Sequence, residues 1–352
     1  MRILFIAPMF HTNQMPWVQT LIENNHTVEY WSLCNKMESN VESLKSINIK
    51  KIEQPYFNKI GAYYEQLKNF DPDVVVGRNP HLNLFILLFL LISKLQRRKT
   101  LIYTQTDLYQ VMPFSRKIGV TILLNTIGNY WITPLTGCRV NYPKFHCRAF
   151  YIPFIAPVST QPQRNCNNIN NNKINIISVG RINQKRKNVL LLLKALKLIE
   201  KNISFHLNLI GHMNKRGQLY EEITEFIKSN DLEDKVTIKE NIPYHEMSLE
   251  YQKNNLFILP SSSEPAAYSL LEAMAAGLPV ICSDTNGTKC YIEEGENGYI
   301  FKSNNLEDLT EKIKIITSDK NEMKNMGERS AQIVKEKYNT DSFYKAFEKL
   351  IQ

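Results

Sequence analysis

The stretch SSSEPAAYSLLEAMAAGLPV, Ser261 to Val280, carries two glutamates with seven residues between them on a segment that otherwise reads as core. Pro265 disfavours the helical region at Glu264, so Glu264 belongs to an extended loop. A helix then begins near Tyr268–Ser269 and runs to Ala276, where Gly277 supplies a left-handed stop. The free N–H groups and the dipole of its first turn favour an anion beside the loop, and the small Ala266 and Ala267 allow a close backbone approach. Glu272, early in the helix, can reach the same space. Two carboxylates around an anion suit a ligand that is polyhydroxylic at both ends and charged in the middle. The plainer alternative makes Glu264 a solvated loop residue and Glu272 a glutamate favoured by the helix dipole.

Upstream, Ser178-Val179-Gly180-Arg181-Ile182-Asn183-Gln184-Lys185-Arg186-Lys187-Asn188 ends a buried strand in glycine and then sets four cations at the start of a helix. Cations oppose the dipole there, so the cluster calls for a compensating anion, and an arginine fork with a lysine suits a diphosphate. A solvated basic turn is the bland alternative.

Around these motifs, short apolar runs alternate with helical patterns. In the first half, strands are predicted at Ile3–Ala7, Val28–Ser32, Val74–Val76 and Leu101–Thr104, with helices at Trp17–Glu23 and Leu82–Ile92. The rhythm restarts with strands at Ile174–Val179, Phe205–Ile210, Val236–Lys239, Leu256–Leu259, Val280–Ser283 and Tyr299–Phe301. Helices fall at Val189–Ile199, Leu219–Ser229 and around His245–Lys253, and from Leu306 to the end. Such alternation predicts parallel sheets covered by helices. The reading is α/β: a domain over 1–157, a polar, asparagine-rich linker over 158–173, and a second domain over 174–339, with ligand bound in a cleft between them. A last helix near 340–352 is expected to pack back on the first domain.

The 352 residues suit two domains, and 43% hydrophobic with 22% charged residues is a soluble globular composition. Six unpatterned cysteines give no zinc spacing, and no secretory signal precedes the first strand, so free thiols in a reducing cytoplasm are expected. Residues 1–160 hold 17 Lys and Arg against 9 Asp and Glu, which is +8 of the net +9. That imbalance predicts an anionic partner for the first half: a phosphate-bearing substrate, an anionic membrane surface or a nucleic acid. No nucleic-acid module appears, because aromatic residues do not interleave with the basic ones. Leu82–Ile92, followed by Lys94, Arg97, Arg98 and Lys99, reads as a buried helix. The other reading is a membrane-surface element, to which Phe114-Ser115-Arg116-Lys117-Ile118 lends support. Asp71-Pro72-Asp73 reads as a turn rather than a metal site.

Taken in order, Gly180-Arg181…Lys187, Ile210-Gly211-His212, Glu264 to Glu272 with Ala-Met-Ala-Ala-Gly-Leu-Pro-Val, Asn286-Gly287 and Gly298-Tyr299 resemble the retaining GT-B glycosyltransferases of the glycogen-synthase and mannosyltransferase type, over roughly Ile174 to Tyr338. The resemblance implies two Rossmann-like domains facing a central cleft, and a metal-independent hexosyl- or N-acetylhexosaminyltransferase. Its donor is a nucleotide-diphosphate sugar, UDP-linked rather than GDP-linked, and no cofactor is required. The acceptor implied is a glycan or lipid-linked glycan in cell-surface polysaccharide or glycolipid synthesis, reached from the cytoplasm at the inner face of the membrane. It gives Glu264 the place against the donor sugar and Glu272 the ribose. The diphosphate goes to Arg181 and one of Arg186 or Lys187. Donor contacts go to Gly180 and to the backbone of Ala267, Tyr268, Ser269 and Leu270.

The sequence departs from that family in its first loop, where His11-Thr12-Asn13-Gln14-Met15-Pro16 replaces a glycine pair. It departs again at Gln105-Thr106-Asp107, where a His-Asp pair is common, and at Pro265-Ala266-Ala267. On the acceptor side only His11, Asn13 and Asp107 stand as candidates. The competing readings are a sugar-nucleotide epimerase, a catalytically inactive sugar-nucleotide-binding subunit and a basic nucleic-acid-binding protein.

Overall fold

The structure is a computed structural model of the whole chain, and it describes residues 1–10, 12–33, 48–51, 60–78, 83–137, 143–157, 173–212 and 217–352. Two compact units emerge: Met1–Ile155 with Tyr338–Gln352, and Ala156–Lys337. The expected linker, apart from Lys173, lies outside the described residues.

In the first unit, β1 (Arg2–Ala7), β2 (Thr27–Ser32), β3 (Asn48–Lys51), β4 (Val74–Arg78), β5 (Lys99–Tyr103), β6 (Tyr130–Thr133) and β7 (Ala149–Tyr151) form a parallel sheet of order β3-β2-β1-β4-β5-β6-β7. Ile3 sits opposite Val28 on one side and Val74 on the other. The middle strands are near-continuous apolar runs because helices cover both faces of such a sheet. Those helices are α1 (Met15–Glu23), α2 (Ile60–Phe70), α3 (Leu84–Leu95) and α4 (Phe114–Thr126), with the last helix of the chain, α11 (Thr340–Ile351). Trp17 of α1 stacks on Phe343 of α11 with ring centroids 5.1 Å apart, and its indole N–H donates to the Pro153 carbonyl at 2.9 Å. One buried tryptophan thus joins the first helix, the last helix and the end of the unit's main chain segment.

Helix α3 is a core element: Ile86, Phe89 and Leu90 are buried in the main apolar cluster of the unit. Three of the four basic residues at its end have internal partners. The Lys94 ammonium donates to the carbonyls of Leu124, Asn125 and Gly128 at 2.9–3.0 Å, closing the C-terminal end of α4, where a cation also complements the helix dipole. Arg98 binds the Pro72 carbonyl and Asp71, and Lys99 donates to the Ile351 carbonyl at the end of α11. Lys94, Arg98 and Lys99 thus act as caps and clamps, and Arg97 is the exposed member of the cluster. The Asp71-Pro72-Asp73 carboxylates are likewise taken, by Arg2 and Arg98.

The second unit repeats the plan. Its strands are β8 (Ile174–Val179), β9 (Phe205–Ile210), β10 (Val236–Lys239), β11 (Leu256–Leu259), β12 (Val280–Ser283) and β13 (Gly298–Phe301), in the order β10-β9-β8-β11-β12-β13. Helices α5 (Val189–Ile199), α6 (Gln218–Ser229), α7 (Met247–Gln252), α8 (Tyr268–Ala275), α9 (Leu306–Ser318) and α10 (Lys320–Lys337) accompany them. Gly277 takes φ +76° after α8, the left-handed stop that its sequence predicts. In both sheets the strand order reverses beside the first strand of the unit, between β1 and β4 and between β8 and β11. Open α/β sheets bind ligands at the carboxyl end of that switch point.

Candidate functional site

At the switch point of the second sheet, β8 runs out at Val179 into Gly180. A side chain on Gly211, at the end of neighbouring β9, would lie 1.8 Å from the Gly180 carbonyl oxygen, so only glycine permits this approach of the two strand ends. A side chain on Gly180 would meet the Lys187 Cε at 3.0 Å, so the missing Cβ leaves the lane in which the lysine lies. Residues Lys185–Lys187 form one tight turn ahead of α5, and Asn188 takes a left-handed φ of +54° to enter the helix.

The loop after β11 lies alongside. The Ser262 amide donates to the Arg186 carbonyl at 2.8 Å, and Glu264 forms a bridge with Asn286, whose neighbour Gly287 donates to the Glu264 carbonyl at 2.9 Å. Glu264 is thereby extended, as Pro265 predicts, and only 8% exposed. Its carboxylate accepts from the Lys187 ammonium and from the Arg186 guanidinium, each at 2.5 Å. Arg186 also donates to the Ser263 carbonyl and stays at the solvent edge, whereas the Lys187 side chain is only 12% exposed. Both candidates for the second cation therefore converge on Glu264, with Lys187 as the inner one. Burial holds Lys187 below the usual lysine range. Glu264 opposes that shift, while the charges of Arg186 and Arg181 reinforce it. Two cations share this one carboxylate and a third, Arg181, is near enough to act on Lys187, so positive charge is left unspent. Ser261 Oγ and Asn286 Nδ2, on the same loops, are buried without a hydrogen-bond partner among the described residues.

Helix α8 opens where expected. Ala267 is its extended N-cap, and no side chain caps it. The Leu270 amide donates to the Ala267 carbonyl and its side chain is in the core. Leu270 is thus removed from the expected donor contacts, and Tyr268 and Ser269 are left as first-turn donors. Glu272 has quite different company from Glu264. Tyr251 of α7 donates to its carboxylate at 2.8 Å, and Tyr244 bonds to it while accepting from Tyr268. Burial and the Glu272 charge push all three phenols well above their ordinary range, so they stay protonated donors. Tyr244 and Tyr251 escape sequence reasoning; the only signal for them is a pair of tyrosines in the otherwise polar PYHEMSLEYQKN.

Residues 159–333 match the family model "Glycosyl transferases group 1". The second unit is a group 1 glycosyltransferase domain. Among curated relatives, the poly(ribitol-phosphate) alpha-N-acetylglucosaminyltransferase of Staphylococcus aureus is 28% identical over 132 residues, 37% of this chain and 26% of that enzyme. The chain spans less than half the length of the curated relatives it matches. Two solved structures are similar over nearly the whole chain. A glycosyltransferase of Rickettsia africae has a TM-score of 0.80 at 16% identity, covering 99% of this chain and 97% of that one. HepE of Anabaena, crystallised with UDP, has a TM-score of 0.77 at 14% identity, covering 99% of each chain. The fold is GT-B.

Of the acceptor-side candidates, His11 lies outside the described residues. Asn13 falls in the loop after β1 and Asp107 in the loop after β5, both in the first unit. Among the described residues no group of three or more His, Cys, Asp and Glu side chains gathers to hold a metal, and Cys147, Cys282 and Cys290 are in no disulfide.

Proposed function

We propose that this chain is a retaining glycosyltransferase that takes a sugar from a nucleotide-diphosphate donor, UDP-linked by preference, and gives it to a glycan or lipid-linked acceptor. The observation that carries the reading is the buried Glu264 carboxylate held by Lys187 and Arg186 beside the uncapped start of α8. In this reading Arg181, Lys187 and the Tyr268 and Ser269 amides take the diphosphate, whose charge grows as the bond to the sugar breaks. Glu264 lies where positive charge develops on the sugar ring, and Glu272, oriented by Tyr244 and Tyr251, takes the ribose hydroxyls. No metal is needed, because the cations already on the chain match a leaving diphosphate. The names of relatives support the class of product: one is named for a poly(ribitol-phosphate) acceptor and another for colanic acid biosynthesis.

The test is nucleotide release from a panel of UDP- and GDP-sugars with glycan and lipid-linked acceptors, in the presence of a chelator, with the anomeric configuration of the product read by NMR. UDP release that depends on acceptor, with the donor's configuration kept, is expected. An inverted product would refute retention.

A peripheral membrane position at the cytoplasmic face belongs to the same proposal, and its support is on α4 rather than α3. Phe114, Ile118 and Ile122 recur at every fourth position on one helix face and are 78%, 45% and 55% exposed, beside the exposed Arg116 and Lys117. No helix among the described residues is long and apolar enough to cross a membrane. An apolar stripe edged by cations suits the interface of an anionic bilayer. Co-sedimentation with anionic vesicles, lost in Phe114→Glu and Ile118→Glu, is the expected result; unchanged sedimentation refutes it.

A further inference from the structure

The first sheet has a switch point of its own, between β1 and β4, and a cation stands at its carboxyl end. Arg78 closes β4 and is 8% exposed. Its guanidinium donates to Gln14 Oε1 at 3.3 Å and lies 5.8 Å from the centroid of the Tyr103 ring. No carboxylate pairs with it among the described residues. Gln14, in the turn after β1, is 1% exposed, and its Oε1 also accepts from the Tyr30 hydroxyl at 2.7 Å. Arginine has no acceptor atom, so the amide oxygen must face it and the amide nitrogen must face away. That nitrogen, Gln14 Nε2, is buried without a partner.

Buried donors without acceptors are costly, and a buried charge without a counter-ion more so. The second unit answers the same problem at the same point of its sheet with Glu264. The first unit has a neutral amide where a carboxylate would close the pair. We propose that Arg78 and the Gln14 amide form an anion-binding subsite for a phosphate-type group, phosphate monoester or diester, carried by the acceptor. That the anion belongs to the acceptor rests on the glycosyltransferase reading; that the subsite binds an anion does not.

The experiment measures thermal stabilisation by glycerol 1-phosphate, and separately by vesicles of phosphatidylcholine containing phosphatidic acid. It compares the full-length wild type with Arg78→Gln, Gln14→Glu and Lys187→Ala, with UDP as a control ligand. Arg78→Gln loses at least tenfold in phosphate affinity. Gln14→Glu supplies the missing carboxylate, so it melts higher than wild type in the absence of ligand and no longer responds to phosphate, which guards against a variant that merely misfolds. Lys187→Ala keeps the phosphate response and loses the UDP response. A response to soluble glycerol phosphate assigns a water-soluble phosphoester, and a response confined to vesicles assigns a lipid phosphate; either supports the subsite if Arg78 controls it. A phosphate response that follows Lys187 instead, or one that survives both Arg78→Gln and Gln14→Glu, overturns it. A UDP response indifferent to Lys187 would count against the glycosyltransferase reading and leave the Arg78 result standing.

Discussion

Glu264 is both the proposed catalytic carboxylate and the counter-ion of the cations proposed to hold the diphosphate, and Glu264→Gln separates the two roles. Its pair with Lys187 is shielded, with side chains 10% and 12% exposed, and breaking a buried pair costs about 3–5 kcal/mol. Arg186 is 41% exposed, so its share is about 0–1 kcal/mol after screening. The glutamine oxygen still accepts from Lys187, and a hydrogen bond to a charged group recovers about 1.5 kcal/mol. A net loss of about 1.5–4.5 kcal/mol is expected. For a unit of about 180 residues that corresponds to a melting temperature lower by roughly 3–18 °C.

A nucleotide diphosphate changes the comparison. In the wild type it competes with Glu264 for the cations; in the variant it is their only strong counter-ion. UDP at ~100 times its dissociation constant stabilises the wild type by about 2.7 kcal/mol. It should stabilise the variant more, so that the melting gap narrows as UDP is added. Sugar transfer by the variant should meanwhile fall by about 10²–10³, the usual cost of losing one electrostatic contact to the transition state. Scanning calorimetry with and without UDP, beside a nucleotide-release assay, measures all three. A gap that stays constant or widens with UDP would refute the competition, because Glu264 would then not be occupying the cations that the diphosphate uses.

Lys187→Ala should weaken UDP binding by about 30-fold or more and Arg186→Ala by less than about fivefold, since only Lys187 is removed from screening solvent; isothermal titration calorimetry distinguishes them, and equal losses would contradict the inner and outer assignment. Burial holds Lys187 below its ordinary value of 10.5, so its contribution to stability is full above the unfolded value and lost as pH falls through the depressed folded one. A bound diphosphate reverses that depression. UDP binding should therefore take up protons and weaken as pH climbs towards 10.5, and an affinity that stays flat on that approach would exclude Lys187 as a ligand. Tyr251→Phe removes one donor from Glu272 and should raise the donor KM by about five- to tenfold with little change in kcat, the signature of lost ground-state positioning, whereas a loss confined to kcat would move Glu272 to the chemistry.

The second unit is more legible than the first, for physical reasons that particular residues display. Strands such as Ile174–Val179, Phe205–Ile210 and Leu256–Leu259 fall at their expected boundaries because glycine, proline or polar residues punctuate apolar runs of four to six residues. Gly180, Gly211 and Gly277 answer backbone demands that only their residue type meets easily, and such demands leave a mark in sequence. In the first unit β6 and β7 have four and three residues, too few for periodicity to register. Helix α4 escapes because Phe114, Ile118 and Ile122 lie on its exposed face, so its apolar pattern does not point to the core. In the site, the Arg186 and Lys187 ambiguity could not be resolved by spacing, since a tight turn brings both to one carboxylate. The Tyr244–Glu272–Tyr251 group joins three segments, and nothing local records such a meeting.

Charge shows the same limit, and resolving it sharpens the functional argument. Summed over sequence, the first 160 residues look like a surface for a phosphate-bearing substrate, an anionic membrane or a nucleic acid. In the fold, Lys94 and Arg148 bind carbonyls at the end of α4, Lys99 binds the end of α11, and Arg98 and Arg2 hold Asp71. A cation spent on a helix end contributes little field to the solvent, because the terminal carbonyls already carry the compensating partial charge. What bears on function is a cation withdrawn from solvent at the point where a parallel sheet commonly receives ligands. Two such places exist among the described residues, one at each switch point. They differ in one respect: Glu264 answers Lys187, and only the neutral Gln14 answers Arg78. In the proposed reaction the diphosphate must be released after each turnover, and an internal carboxylate that retakes its cations assists that release. An acceptor anion takes no part in bond breaking, and the first unit leaves Arg78 free to hold it.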